Sequence, residues 1–414
     1  MSGADRAPLP PGSIVITGLG AVTPFGWGVA PLWEGARSGR CAVGALDRFD
    51  PAGHRTRIAA QVPLDAAPAP RSRRATLADR FAVAAAGEAV ASAGLDASAL
   101  AHAGVAFGSS TGGLIESESY FEDLLRRGPR RARPGLLASQ QFDGPGDAVA
   151  RALGCTGPVL TVTAACVSGA AAIEAAARIL LRGEADTVVA GASDALCRVT
   201  YSGFNSLRAV DEKPSRPFRK DRAGLTLGEG AGVLVLESAR HARERGARVL
   251  AVLAGAASTC DAHHMTAPHA AGAGAAVAVT RALTEAACDP ADVDFINAHG
   301  TGTPHNDAAE AAAIARVFGG LARSIPVTST KALIGHLLGS AGAVEAVVTV
   351  LCLARGEVHP MPDDGERDLS IALDLVLGLP RRLPRARVAL STSLAFGGAN
   401  AALVLRRPES AHVR

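Results

Sequence analysis

The sequence predicts an α/β protein with buried sheets, assembled from two similar halves. Three observations carry that expectation. Short β-branched runs alternate with longer Ala-rich runs of helical character, the pattern of strands joined by helices. The chain is 48% hydrophobic but only 4% aromatic, so its apolar content is largely small residues, which calls for closely packed helices and tight backbone turns. One stretch also echoes another. Residues 168–184 read SGAAAIEAAARILLRGE and residues 341–357 read AGAVEAVVTVLCLARGE. Each follows a polar, strand-like segment, Val159–Ala164 or Pro326–Lys331, and each closes on Arg-Gly-Glu. Ala-rich sequence can produce such a likeness by chance. The stronger reading is a duplicated α/β unit with halves near 13–240 and 250–408, for which 414 residues suffice.

Taken in order, residues 13–17 (Ser-Ile-Val-Ile-Thr) read as a buried strand ending at Gly18. Residues 104–107 are a second strand, closed by the Gly-rich turn 108–113. Val159–Ala164 is a third, running into Cys166 and then a helix over 168–182 that Gly183 stops. Residues 187–190 form a fourth, and Val293–Asn297 is a strand of the second half. The Arg-rich segment 239–249 reads as a hinge between halves, and the tail after Leu405 as disordered.

Bulk properties exclude several classes. A formal net charge of +3 is too weak to imply nucleic acid. The seven cysteines (41, 155, 166, 197, 260, 288 and 352) are scattered and form no C-x-x-C pair, against a disulfide framework and a zinc site. Met1–Gly12 is polar and Pro-rich, without the apolar core of a signal peptide, and the apolar stretches read as interrupted short of a membrane span. The expectation is a cytoplasmic protein with no nucleic-acid, membrane or metal partner.

Four residues could carry chemistry. Cys166 stands at a strand-to-helix junction, where helix amides point outward, favouring a thiolate and stabilising a nearby oxyanion. A free cysteine is more often a buried structural residue, so position alone does not decide. His299 lies in Asn-Ala-His-Gly-Thr-Gly-Thr (297–303), with Thr301 and Thr303 able to bond a polar substrate arm. His336 and Lys331 lie in Lys-Ala-Leu-Ile-Gly-His (331–336). A lone loop histidine is more often structural; two histidines, a cysteine and a lysine at strand ends beside Gly-rich turns are harder to dismiss. Other motifs are weaker. Gly18-Leu-Gly20 lacks the third glycine of a dinucleotide loop. Gly228-Glu-Gly-Ala-Gly232 leads into another apolar run rather than a helix. Gly108-Ser-Ser110-Thr-Gly112 fits a nucleophile elbow only if a helix, an Asp and a His follow.

Several long motifs in order resemble the β-ketoacyl-acyl carrier protein synthases, elongating condensing enzymes of the thiolase fold. They are Thr163-Ala-Ala-Cys-Val-Ser-Gly, Ser215-Arg-Pro-Phe, Leu227-Gly-Glu-Gly-Ala-Gly, Asn297-Ala-His-Gly-Thr-Gly-Thr, Lys331-Ala-Leu-Ile-Gly-His and Phe396-Gly-Gly-Ala-Asn. The likeness runs from Ile14 to Leu405. It implies a duplicated five-layer α-β-α-β-α fold. Residues 1–250 would form a half carrying the nucleophile with cap and dimer insertions, and 251–414 a half carrying both histidines. The implied reaction is decarboxylative Claisen condensation of a malonyl thioester with a Cys-bound acyl chain, in fatty acid or polyketide synthesis.

By the same resemblance Cys166 is the acyl acceptor, and His299 and His336 support decarboxylation. Lys331 is the site lysine, with Glu345 its partner and Asp307 supporting. Thr301 and Thr303 hold the pantetheine arm. Phe396 is the gate, its N–H joining that of Cys166 in the oxyanion hole. Thr111, Phe204 and Leu394 fall in the acyl pocket. No cofactor is implied, the phosphopantetheine arm belonging to the acyl carrier protein. Carrier proteins are acidic, so Arg71, Arg73 and Arg74, Arg126, Arg127, Arg130, Arg131 and Arg133, and Arg208 are docking candidates; a solvated basic face is the plainer alternative. A dimer is implied, of identical chains or with a chain-length-factor-like subunit. The chain departs from the family at Leu394-Ala-Phe-Gly-Gly398, where Phe-Gly-Phe-Gly-Gly is usual, at Thr111, where a bulkier apolar residue is common, and in the short loop 208–214. These departures suggest an unusual acyl chain, such as a polyketide or polyene intermediate. A thiolase would carry a second cysteine near its C-terminus, absent from Ser391–Gly398. A silent chain-length subunit would lack Cys166.

Overall fold

The computed structural model describes residues 12–67 and 74–408. Its main strands are β1 (Ile14–Thr23), β2 (Gly104–Gly108), β3 (Val159–Val162), β4 (Thr187–Asp194), β5 (Gly230–Ser238), β6 (Ala251–Cys260), β7 (Phe295–Asn297), β8 (Pro326–Thr328), β9 (Val388–Leu394) and β10 (Ala399–Arg406). The main helices are α1 (Leu77–Ala93), α2 (Leu114–Arg127), α3 (Gly144–Leu153), α4 (Ser168–Leu181), α5 (Arg198–Ser206), α6 (Ala273–Glu285), α7 (Pro304–Phe318) and α8 (Ala341–Arg355).

The strand order discloses the duplication. The first half runs β3-β2-β4-β5-β1 and the second β8-β7-β9-β10-β6, the same order with the same senses. In each half two parallel pairings (β2 with β3 and β4; β7 with β8 and β9) are followed by two antiparallel ones. A short antiparallel pairing, Ile14–Ile16 against Ala251–Leu253, joins the halves. The echoed segments become α4 and α8, each following the corresponding strand of its half.

Both sheet faces are covered, so strand residues alternate between two apolar environments. Leu234 and Leu236 face the central layer, which holds α4 and α8, while Val233 and Val235 face α1 and α3. In the second half Leu403 and Leu405 face that central layer, and Ala402 and Val404 face α6 and α7. This gives the five layers. Glycine and alanine set the spacing: a Cβ at Gly169 would sit 2.7 Å from the Ala343 amide, so α4 meets α8 backbone to backbone.

Three expectations need correction. The first strand does not end at Gly18 but runs to Thr23. Gly18 and Gly20 lie within it because α1 packs there on bare backbone, and a Cβ at either would overlap the carbonyl of Ala89 or Ala85. The segment 239–249 is not an open hinge. Its first turns are helical, Ala242 is buried, and Arg240 and Arg245 pair with Asp186 and Glu237 at 2.7 and 2.5 Å. Residues 338–355 are long and apolar enough to cross a membrane, but 89% of this stretch is buried inside the protein, and α8, which makes up most of it, lies in the central layer. β10 continues to Arg406; residues 409–414 lie outside the described part.

Candidate active site

Cys166 follows β3, one residue after Ala165, whose φ of +48° is a left-handed turn that few non-glycine residues adopt. The turn ends the strand abruptly and starts α4 at Ser168, leaving Cys166 buried at 8% exposure beside the helix start. Ser168 fixes the turn, accepting from the Ala164 amide at 2.9 Å and donating to the Ala165 carbonyl at 2.6 Å. The amides of Phe396 and of Cys166 itself point at the thiol. Sequence position favours a thiolate; the structure shows the opposite balance. Burial pushes the thiol up to about 11, outweighing the pull of Lys331 and the two amides, while Asp194 opposes them.

His299 and His336 lie at the corresponding ends of the second half. Their rings are 5.3 Å apart and nearly perpendicular. The Leu338 amide donates to His336 Nδ1 at 3.0 Å, so in the neutral ring the proton is on Nε2. Lys331 Nζ donates to His299 Nδ1 at 3.0 Å and imposes the same tautomer. Lys331 also pairs with Glu345, both fully buried. Burial, then the positive charge of Lys331, holds both imidazoles well below their ordinary value. The site therefore presents two neutral N–H donors. Backbone bonds on both sides fix the His336 strand: its amide donates to Thr226 O at 2.7 Å, and Gly228 donates to its carbonyl at 2.9 Å.

The loop carrying His299 is held by two carboxylates on one face of α7. Asp307 accepts from the Thr301, Gly302 and Phe218 amides at 3.1, 3.2 and 2.7 Å. Glu310 accepts from His299 and Gly300 at 2.7 and 2.8 Å and from the Thr392 hydroxyl at 2.7 Å. Burial lifts Glu310 to about 7 against those bonds. Glu310 was not anticipated from sequence, although its spacing of three from Asp307 on a helix puts both on one side. Glu310→Ala would orphan the buried Gly300 amide, a cost of about 1–3 kcal/mol, and leave the His299 amide only the Thr392 hydroxyl at 3.3 Å. We expect a clear fall in melting temperature by calorimetry, together with weakened decarboxylation; an unchanged melting temperature would contradict this account of the loop.

A cavity of about 440 Å³ joins these residues. Cys166, His299, His336, Thr301, Thr303, Phe204, Leu394, Phe396 and Arg208 all line it. Phe204 on α5 stacks on Phe396, centroids 5.6 Å apart and planes inclined by 23°. The Thr301 and Thr303 hydroxyls are 2.9 Å apart.

Other sequence candidates lie elsewhere. Thr111 does not line this cavity; its hydroxyl bonds Asp194 at 2.9 Å. Ser110 likewise donates its hydroxyl to the Asp194 carboxylate, at 2.7 Å, rather than to a histidine, so the nucleophile-elbow reading fails. Arg126, Arg127 and Arg133 are exposed but pair with Glu122 and Asp123. Arg130, Arg131 and Arg74 are exposed, and Arg71 and Arg73 lie outside the described residues. Cys352 is buried within α8.

A duplicated thiolase fold with one buried cysteine facing two neutral imidazoles defines an acyl-transferring condensing enzyme. The chain belongs to the β-ketoacyl synthase family: the family's N-terminal domain model matches residues 12–242 and its C-terminal domain model residues 250–363. It is 38% identical to 3-oxoacyl-[acyl-carrier-protein] synthase 2 of Synechocystis, over 95% of this chain and 98% of the relative. Among solved structures it is similar to the ishigamide ketosynthase/chain length factor (TM-score 0.90, 33% identity, 96% of this chain and 99% of that one). It is also similar to AntDE:AntF, a type II PKS acyl-carrier protein in complex with its ketosynthase bound to the hexaketide (TM-score 0.88, 32% identity, 96% and 100%).

Proposed function

We propose that this protein is an elongating ketosynthase that condenses malonyl-acyl carrier protein with an acyl chain held on Cys166, releasing CO₂ and a β-ketoacyl thioester. The observation that carries the reading is the pair of neutral imidazoles with their Nε2 protons fixed beside a buried thiol. The Cys166 sulfur attacks the incoming thioester, the amides of Cys166 and Phe396 hold the oxyanion, and the pantetheine thiol leaves with the cysteine's proton. A malonyl thioester then enters along Thr301 and Thr303. Its bond to the carboxylate breaks, CO₂ departs, and the electron pair forms an enolate whose oxygen accepts from His299 and His336. The enolate carbon attacks the acyl-Cys166 carbonyl and expels the Cys166 thiolate, which takes up a proton from solvent to restore the resting thiol. Lys331 and Glu345 fix the His299 tautomer. No cofactor beyond the carrier's own arm is required, and the work is cytoplasmic. Residues 1–250 supply the nucleophile and 251–414 the decarboxylating set.

His299→Ala and His336→Ala should still take up an acyl group but release CO₂ from malonyl thioester at least about 100-fold more slowly, the usual scale for a positioned acid–base group. Loss of acylation instead would assign the histidines to the wrong half-reaction. Because the native imidazoles stay neutral, decarboxylation should show no limb near the ordinary histidine value of about 6.5. The sign for stability follows: the unfolded chain takes up protons that the folded sites refuse, so stability falls as pH drops below that value. A rate profile with an imidazole limb near neutrality would contradict this.

The partner surface is argued from β3. It is an edge strand of the sheet, with Val159 45% and Leu160 42% exposed, an open ladder that invites pairing with another chain. Leu160→Lys should yield monomers by light scattering and reduce activity, since β3 leads directly into Cys166. A chain-length-factor-like subunit is favoured as that partner by the names of two similar structures, each of a ketosynthase with its chain length factor. Co-purification of such a subunit decides between it and a second copy. Arg208, on the cavity wall, is the docking candidate best placed for an acidic carrier. Leu394, Ala395 and Phe396 on the cavity wall are consistent with an unusual acyl chain; if saturated acyl carriers outcompete unsaturated ones across a graded series, that preference is wrong.

A further inference from the structure

Asp194 ends β4, fully buried, with no cation paired to it among the described residues. Neutral donors from two loops surround it. From the loop after β2 come the Ser109 hydroxyl (2.7 Å), the Ser110 amide and hydroxyl (2.9 and 2.7 Å) and the Thr111 amide and hydroxyl (both 2.9 Å). From the second half comes the Gly339 amide, at 2.6 Å. That last bond crosses the duplication, and Ser110 Oγ reinforces it by accepting from the same amide at 3.0 Å. The approach is tight enough to require glycine: a Cβ at 339 would lie 2.7 Å from the Asp194 oxygen and 2.9 Å from the Ser110 amide.

Gly339 follows Leu338, whose φ is +55°, a left-handed conformation unusual for leucine. That turn brings the Leu338 amide to His336 Nδ1. The strained residue thus sets the histidine's tautomer, and the bonds of the next residue to Asp194 hold the strain in place.

We propose that Asp194 is a positioning residue that clamps the Leu338–Gly339 turn across the two halves, fixing His336 as an Nε2–H donor while setting a negative charge near Cys166. The charged and titratable groups around that thiol are Lys331, Asp194, His299, His336 and Glu345. Asp194 opposes the thiolate and Lys331 favours it. The inference rests on the ketosynthase reading for its activity arm; its alkylation arm is independent of that reading and tests the influence of the Asp194 charge on the thiol.

The test is Asp194→Asn, nearly the same size but neutral and carrying donors where only acceptors fit. Two rates are followed: CO₂ release from a malonyl thioester, and alkylation of Cys166 by iodoacetamide at about pH 8.5, read by peptide mass. We expect kcat for CO₂ release to fall at least about 30-fold with KM within about twofold, because the donor geometry is lost rather than the binding arm. We expect alkylation to rise at least about threefold, because a like charge has left the thiolate. A loosened fold would also speed alkylation by exposing the buried thiol, so Ser110→Ala, which loosens the clamp but keeps the Asp194 charge, is the control: a comparable rise there overturns the charge assignment. Unchanged CO₂ release, or alkylation that is unchanged or slower, overturns the proposal. Because Ser110→Ala removes one arm of the clamp and no charge, it should slow CO₂ release by a smaller factor and leave alkylation unchanged; if the Asn variant does not fold, unchanged CO₂ release in Ser110→Ala overturns the proposal. A wild-type enzyme that releases no CO₂ would count against the ketosynthase reading and leave the alkylation result to judge the Asp194 charge.

Discussion

Cys166→Ala is expected to abolish acyl loading. Incubated with an acyl carrier thioester, the native protein should gain the acyl mass in an intact-mass spectrum and the variant should not. The covalent step has no substitute among neighbouring groups: Ser110 is bonded to Asp194, and Cys352 lies within α8. Loss of a sole nucleophile removes turnover by about 10⁴-fold or more, so condensation should fall below detection. Equal labelling of both proteins would end the assignment. The variant should remain folded, because a small buried thiol exchanged for a methyl leaves little cavity. Since burial holds the thiol near 11, the native enzyme should also alkylate slowly at neutral pH compared with a thiol of ordinary acidity.

Lys331→Met is expected to give the largest stability loss of any site substitution. Lys331 and Glu345 are each only 2% exposed, and removing the ammonium strands the Glu345 carboxylate in apolar surroundings. Breaking a buried pair from one side costs about 3–5 kcal/mol. Part of that will be relieved because Glu345, already pushed up by burial, can take a proton. The double change Lys331→Met with Glu345→Leu should recover much of the stability in a denaturant titration, while activity stays lost because His299 Nδ1 has no donor. If the single variant is as stable as the native protein, or if the double variant regains CO₂ release, the pair does not do what its geometry indicates.

The duplication was legible because it is written in local pattern. The echo of 168–184 in 341–357 survives in α4 and α8, and the alternation of strand with helix survives in five strands of each half, ordered identically. Cys166, His299, Lys331 and His336 were legible because each sits at a strand end in a stretch of small residues, a local signature. The first strand was cut short at Gly18 because a glycine read along the chain marks a turn, whereas here it marks α1 resting on the strand. The 338–355 stretch reads as interrupted short of a span, whereas it is long and apolar enough for one, because a helix buried between two sheets must be apolar all round, as a spanning helix is.

What the sequence determined by itself, then, is what depends on neighbours along the chain: the α/β class, its doubling, and the residue types able to do the chemistry. What only the tertiary structure decided is what depends on residues far apart. The 2.6 Å bond from Gly339 to Asp194 spans 145 positions, and the contact of Lys331 with His299 spans 32. The protonation of the thiol and of both imidazoles was likewise out of reach. Helix starts and flanking charges can be read from a motif, but the burial that outweighs them is set by every layer packed around the site.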